Sequence, residues 1–98
     1  MNQISREKDA FKLDVHGAYL RRTDLSNSNL EGANLSGANL TDAILRGANL
    51  KDAFLKGTIL RGADLTDAKN LTRGQLETAI IDDRTKLPAL VADRPMVE

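Results

Sequence analysis

From Ala18 to Ala68 the chain repeats one five-residue pattern of apolar, polar and bend-forming positions. Leucine stands at Leu20, Leu25, Leu30, Leu35, Leu40, Leu45, Leu50, Leu55, Leu60 and Leu65 without a break. Two positions before each leucine the residue is small: Ala18, Thr23, Ser28, Ala33, Ala38, Ala43, Ala48, Ala53, Thr58 and Ala63. Between the two stands Asn or Asp in most units: Asp24, Asn29, Asn34, Asn39, Asn49 and Asp64. Two positions after the leucine comes a turn former: Asn27, Gly32, Gly37, Asp42, Gly47, Asp52, Gly57, Gly62 and Asp67. Arg22 is the exception.

Neither regular element accommodates this period. On a helix, five residues at about 100° each leave successive leucines about 140° apart, so they share no face. A glycine in nearly every second unit would cost roughly 1 kcal/mol apiece. In one long strand an odd period sends successive leucines to opposite faces, and neither face is dry. A short extended segment followed by a bend satisfies the pattern. The small residue and the leucine two later share a face, and the Asn or Asp between them faces away. Gly, Asn and Asp tolerate the φ that the bend needs. One bend per unit winds the chain into coils with leucines on the axis, and stacked coils satisfy each other's backbone groups.

The A-[DN]-L-x-x units, such as Ala33-Asn34-Leu35 and Ala38-Asn39-Leu40, resemble the pentapeptide-repeat family over roughly residues 13–70. The resemblance implies an all-β solenoid: a right-handed quadrilateral β-helix with twenty residues per coil. About three coils follow, a stack only ~15 Å tall at strand spacing. One face then carries Leu20, Leu40 and Leu60, and the next Leu25, Leu45 and Leu65. The third carries Leu30, Leu50 and Asn70, and the fourth Val15, Leu35 and Leu55.

Three regions result: an N-terminal arm or degenerate first repeat (1–12), the β-helix (13–70), and a C-terminal capping helix with tail (71–98). Thr72 followed by Gln75 reads as a capping box. It predicts a helix over about 72–81 whose one side is Leu76, Ala79 and Ile80, then an irregular tail. The N-terminal end offers no comparable cap, although Leu13, Asp14, Val15 and Gly17 look like a degenerate unit. An uncovered coil edge can stack on this chain's own copy or on another repeat protein.

Composition excludes more than it indicates. Fourteen basic and fourteen acidic side chains cancel, which points away from a nucleic-acid groove. Cysteine is absent, so there is no disulfide framework. No apolar run reaches signal-peptide or membrane-span length, so the expectation is a cytoplasmic protein with no membrane partner. The tail from Asn70 to Pro88 resembles endings common in bacterial pentapeptide-repeat proteins, which implies a bacterial source. One Tyr and two Phe are the only aromatics, so the apolar mass is mostly Leu, Ala and Ile. No catalytic, cofactor or metal set emerges. His16, the only histidine, follows a repeat centre and faces solvent; Ser26, Ser28 and Ser36 have no His–acid pair to activate them. GANL and GADL are bends rather than phosphate loops, since no helix follows them. Glu31 and Lys51, one coil apart, are placed to pair.

The informative residues are apolar ones in the outward position: Tyr19, Ile44, Phe54 and Ile59. They form the candidate interface of a non-enzymatic scaffold or protein-interaction module without cofactor. The alternative, by family analogy, is a DNA mimic that binds a type II topoisomerase such as gyrase. That role relies on a long acidic rod, whereas this chain is short and electrically balanced.

Overall fold

The computed structural model describes residues 12–92. The chain pairs with itself at a constant offset. Parallel bridges join Asp14 to Asn34, Tyr19 to Asn39, Asp24 to Ile44 and Asn29 to Asn49. The same step continues through Asn34–Phe54, Asn39–Ile59, Ile44–Asp64 and Asn49–Lys69. Four five-residue units therefore make one coil, and the fold is a β-helix solenoid.

The bonding within a unit shows why the period is five. The outward residue turns both backbone groups toward the preceding coil: Asn34 N–H donates to Leu13 C=O (2.7 Å), and Asn34 C=O accepts from Val15 N–H (3.0 Å). The leucine turns the other way, with Leu35 N–H on Phe54 C=O (3.0 Å). The chain then bends, and Ala38 N–H closes on Leu35 C=O (3.0 Å). At the bend φ is positive, about +60° at Asn27, Asp42, Asp52 and Asp67 and about +70° at the glycines. Arg22, which breaks the turn-former pattern, adopts the same left-handed conformation at φ 62°. The geometry of the coil overrides its preference.

The lumen is filled by the leucines. From Leu30 to Leu65 each is at most 3 % exposed, and Ala33, Ala38, Ala48 and Ala63 beside them are fully buried. Leu20, Leu25 and Val15, in the first coil, are only half-buried against this core. The one buried polar side chain among the described residues, Thr58, replaces an alanine, and its hydroxyl donates to Leu35 C=O at 2.6 Å.

The repeat ends differently from the expectation. Asn70 does not enter the lumen above Leu30 and Leu50. It takes φ 62° and an exposed position, and its Nδ2 donates to Asn49 Oδ1 at 2.9 Å. Leu71 is buried instead. A carboxamide in the lumen would lose water without gaining a partner, whereas outside it extends a column of amides.

Helix α1 (Arg73–Thr78) follows, shorter than the expected 72–81. Its capping box forms as read: Thr72 Oγ1 accepts from Gln75 N–H (3.1 Å) and Thr72 N–H donates to Gln75 Oε1 (2.8 Å). Leu76 is buried, but Ala79 and Ile80 do not continue the helical face. Ile80 bridges Ile59, donating to Thr58 C=O (2.8 Å) and accepting from Leu60 N–H (2.7 Å). The open edge of the last full coil offers this segment two backbone bonds, and the helix stops. The tail is likewise not irregular throughout: Lys86 bridges Asp64, and α2 (Ala89–Ala92) brings Val91 into the core. The expected Glu31–Lys51 pair is absent among the described residues; Lys51 Nζ instead lies 4.0 Å from Asp52.

Candidate interaction surface

The outward position has a structural task that its polarity alone did not reveal. Its side-chain oxygen accepts the amide two residues on. Asn34 Oδ1 takes Ser36 N–H, Asn39 takes Thr41 and Asn49 takes Lys51, each at 3.1 Å. Asp24 and Asp64 do the same for Ser26 and Thr66 at 3.0 Å. Each of these units thus carries an Asx turn that satisfies the one bend amide not used between coils. The hydroxyls of Ser26, Thr41 and Thr66 reinforce it at 2.6 Å. These bonds favour the carboxylate. Ser26 hydroxyl and amide hold Asp24 below the ordinary aspartate pKa. At Asp64 burial pushes upward, but Thr66 and the Arg46 guanidinium, 3.2 Å away, together outweigh it and the net shift is downward.

Tyr19, Ile44, Phe54 and Ile59 cannot form this turn. The amides two residues on, at Arg21, Arg46, Lys56 and Arg61, have no acceptor among the described residues. Each of these four units therefore forgoes a hydrogen bond worth about 1 kcal/mol.

The structure places the four unequally. Tyr19 is 73 % exposed, Phe54 61 % and Ile44 37 %, while Ile59 is half-buried. Tyr19 and Ile59 share a column but Asn39 lies between them, and Ile44 is flanked by Asp24 and Asp64. The apolar positions that the coils bring together are Ile59 and Ile80 directly above it, while Phe54 stands on the adjoining face in a column with Asn34. Sequence reasoning missed Ile80 because it assigned that residue to a helix. Its signal was present in the shift from helical to extended patterning at Ala79-Ile80-Ile81.

Phe54 also forms a wall. Where the next coil would continue its face, the chain enters α1, so Phe54 is flanked by two open grooves. One, about 650 Å³, lies between Lys51 and Asp52 below and Asn70, Thr72 and Gln75 above. The other, about 290 Å³, lies toward Lys56, Gly74 and Thr78. Gln75 Nε2 closes the edge between them, donating to the carbonyls of Leu50 (2.8 Å) and Ala53 (3.0 Å).

His16 has an acid partner that sequence reasoning did not assign: its Nδ1 lies 2.7 Å from Asp14 Oδ1. The His16 backbone N–H donates to the same oxygen at 3.3 Å. Both side chains are mostly exposed. The Ser26 and Ser28 hydroxyls are bonded to Asp24 and to Leu25 C=O. Among the described residues no three His, Asp or Glu side chains converge, and no helix is long and apolar enough to cross a membrane.

The coil register, the inward leucines and the Asx-capped bends define a pentapeptide-repeat solenoid. The chain belongs to that family: it matches "Pentapeptide repeats (8 copies)" over residues 14–52 and 43–82. It is 35 % identical to a crystal structure of a pentapeptide repeat protein, Rfr23, from the cyanobacterium Cyanothece 51142, with a TM-score of 0.65. That match covers 78 % of this chain and 51 % of Rfr23, so the chain spans about half of that relative. A second similar structure is alr5209, a pentapeptide repeat protein from Nostoc Pcc 7120, at 32 % identity, 87 % and 81 % coverage and a TM-score of 0.33. No curated protein matches.

Proposed function

We propose that this chain is a non-enzymatic scaffold that binds a protein partner through its outer surface near α1. In this reading the solenoid is a right-handed, four-sided β-helix of about three coils, closed at its C-terminal end by α1 and the segment after it. It works in a bacterial cytoplasm, which suits a chain without cysteine. The observation that carries the reading is the set of missing Asx turns. A solvent-facing phenylalanine gains little in the free chain and leaves the Lys56 amide without an acceptor among the described residues. Its retention is accounted for by contact with another molecule. Ile59 and Ile80 add a second apolar pair on the adjoining face, and the grooves on either side of Phe54 give a partner side chain somewhere to sit.

The test compares capture of host proteins by the wild-type chain, by Phe54→Asn and by Arg61→Asn. Phe54→Asn restores the repeat residue, so its thermal midpoint stays within a few degrees of wild type while capture falls. Arg61→Asn leaves capture unchanged. An unaltered set of captured proteins with Phe54→Asn refutes the role of this surface.

A further inference from the structure

The two ends of the solenoid are not equivalent. At the C-terminal end, Ile80, Lys86 and Gln75 take up backbone groups of the last full coil. At the N-terminal end, the residues homologous to Asn39 and Ile44 are Tyr19 and Asp24. Asn39 and Ile44 each bond the preceding coil with both N–H and C=O, whereas Tyr19 and Asp24 have no such partner among the described residues. Beside them, Leu20 and Leu25 are only half-buried, although every lumen leucine from Leu30 onward is covered. In the sequence the repeat pattern does not continue upstream: the five-residue register carried backwards falls on Lys8, Ala10 and Ser5, which lie outside the described residues, instead of a small residue and leucines.

We propose that this N-terminal coil edge is a self-association site, on which a second copy of the chain stacks edge to edge about a twofold axis. Such an axis, perpendicular to the stack, makes the facing strands antiparallel. In antiparallel pairing, a residue that turns both N–H and C=O outward exchanges both bonds with the residue opposite. Tyr19 and Asp24 present that arrangement. The edge is a helical ramp, and a perpendicular twofold maps the ramp onto one of equal slope. The single step in the ramp, where the chain enters near Lys12, coincides in both copies only if the axis passes through that corner. Tyr19 then faces the partner subunit's Asp24, and Asn29 faces the partner subunit's Asp14. No aspartate faces an aspartate, which the axes through the faces would require. The edge offers four extended segments for pairing, those of Asp14, Tyr19, Asp24 and Asn29. The half-buried Leu20 and Leu25 close over their counterparts, so the lumen runs continuously through both copies. This site lies away from Phe54, and its failure leaves the outer-surface reading untouched.

Sedimentation equilibrium of the full chain over a wide concentration range, combined with amide hydrogen exchange, tests it. The wild-type chain forms a dimer, and exchange at Tyr19 and Asp24 slows as concentration rises. Tyr19→Pro removes an amide that bonds nothing among the described residues, so the dilute chain keeps its thermal midpoint. In the dimer it removes a ladder bond, and the dimer dissociation constant rises at least tenfold, as it does for Leu25→Lys. A wild-type chain that stays monomeric overturns the proposal. So does slow exchange at Tyr19 and Asp24 at every concentration, which would show the edge covered by the chain's own N-terminal residues. A dimer indifferent to both substitutions overturns it as well.

Discussion

Leu40→Ala tests the solenoid at its centre. Leu40 is fully buried, with Leu20 and Leu60 in its column and the neighbouring lumen leucines on the adjoining faces. Removing a buried leucine side chain forfeits about 2–3 kcal/mol of transfer free energy, plus a term for the cavity left behind. Here the cavity relaxes little. Leu40 N–H is bonded to Ile59 C=O at 2.8 Å, and Asn39 on its other side bonds Ala18 C=O at 2.9 Å, so the backbone is stitched to both neighbouring coils. The expected loss is therefore about 3–4 kcal/mol, toward the upper part of the range for such substitutions. Against a total of about 5–15 kcal/mol this is a large share. For a chain of this size it lowers the thermal midpoint by about 12–30 °C. Urea denaturation followed by circular dichroism measures the loss, with Leu13→Ala, at a residue 44 % exposed, as the reference. A loss below about 1 kcal/mol, or one equal to that of Leu13→Ala, would refute the reasoning from burial.

Three further outcomes are expected. Gln75→Ala removes the capping-box acceptor of Thr72 and the donor to Leu50 and Ala53; a cost of about 1–3 kcal/mol and faster exchange of the Leu76 and Ala79 amides should follow, and unchanged exchange there would contradict it. Gly57→Ala has ordinary space, its nearest neighbour being Gly37 N at 3.8 Å, but its φ of +70° disfavours a Cβ; chemical denaturation should show a loss of about 1–2 kcal/mol, and no loss would mean the bend can relax. Acid should destabilise the fold. Asp82, pushed up by burial but held lower overall by the amides of Gly62 and Arg84, the Thr85 hydroxyl and the Arg84 charge, has a folded pKa below its unfolded value, as do Asp64 and Asp24. Their contribution is present above the unfolded carboxylate pKa near ~4 and is lost as pH falls through the lower folded values. Calorimetry should show a flat midpoint from neutral pH to about 5 and a decline below about 4, shallower for Asp82→Asn; an unchanged midpoint at about pH 3 would count against it.

The sequence by itself determined the five-residue unit, the inward leucines, the bends and the capping box of α1. Each depends on the residue and its near neighbours: φ preference at Gly, Asn and Asp, the alternation of side chains along an extended segment, and a Thr-to-Gln reach of three residues. Tertiary structure decided what depends on another coil. Asn70 leaves the lumen because Asn49, one coil away, offers its amide a partner. Ile80 leaves the helix because Thr58 and Leu60 have free backbone groups at an open edge. Ile59 is half-buried because Ile80 lies above it, whereas Phe54, with no strand continuing its column, stays exposed. Polarity alone makes the outward Asn and Asp merely solvent-facing, since only the folded bend brings the amide two residues on within reach of their side chains. A local period specifies the coil. How the stack ends, and which of its outward residues remain accessible, follow from backbone groups that find their partners only once the coils are in register.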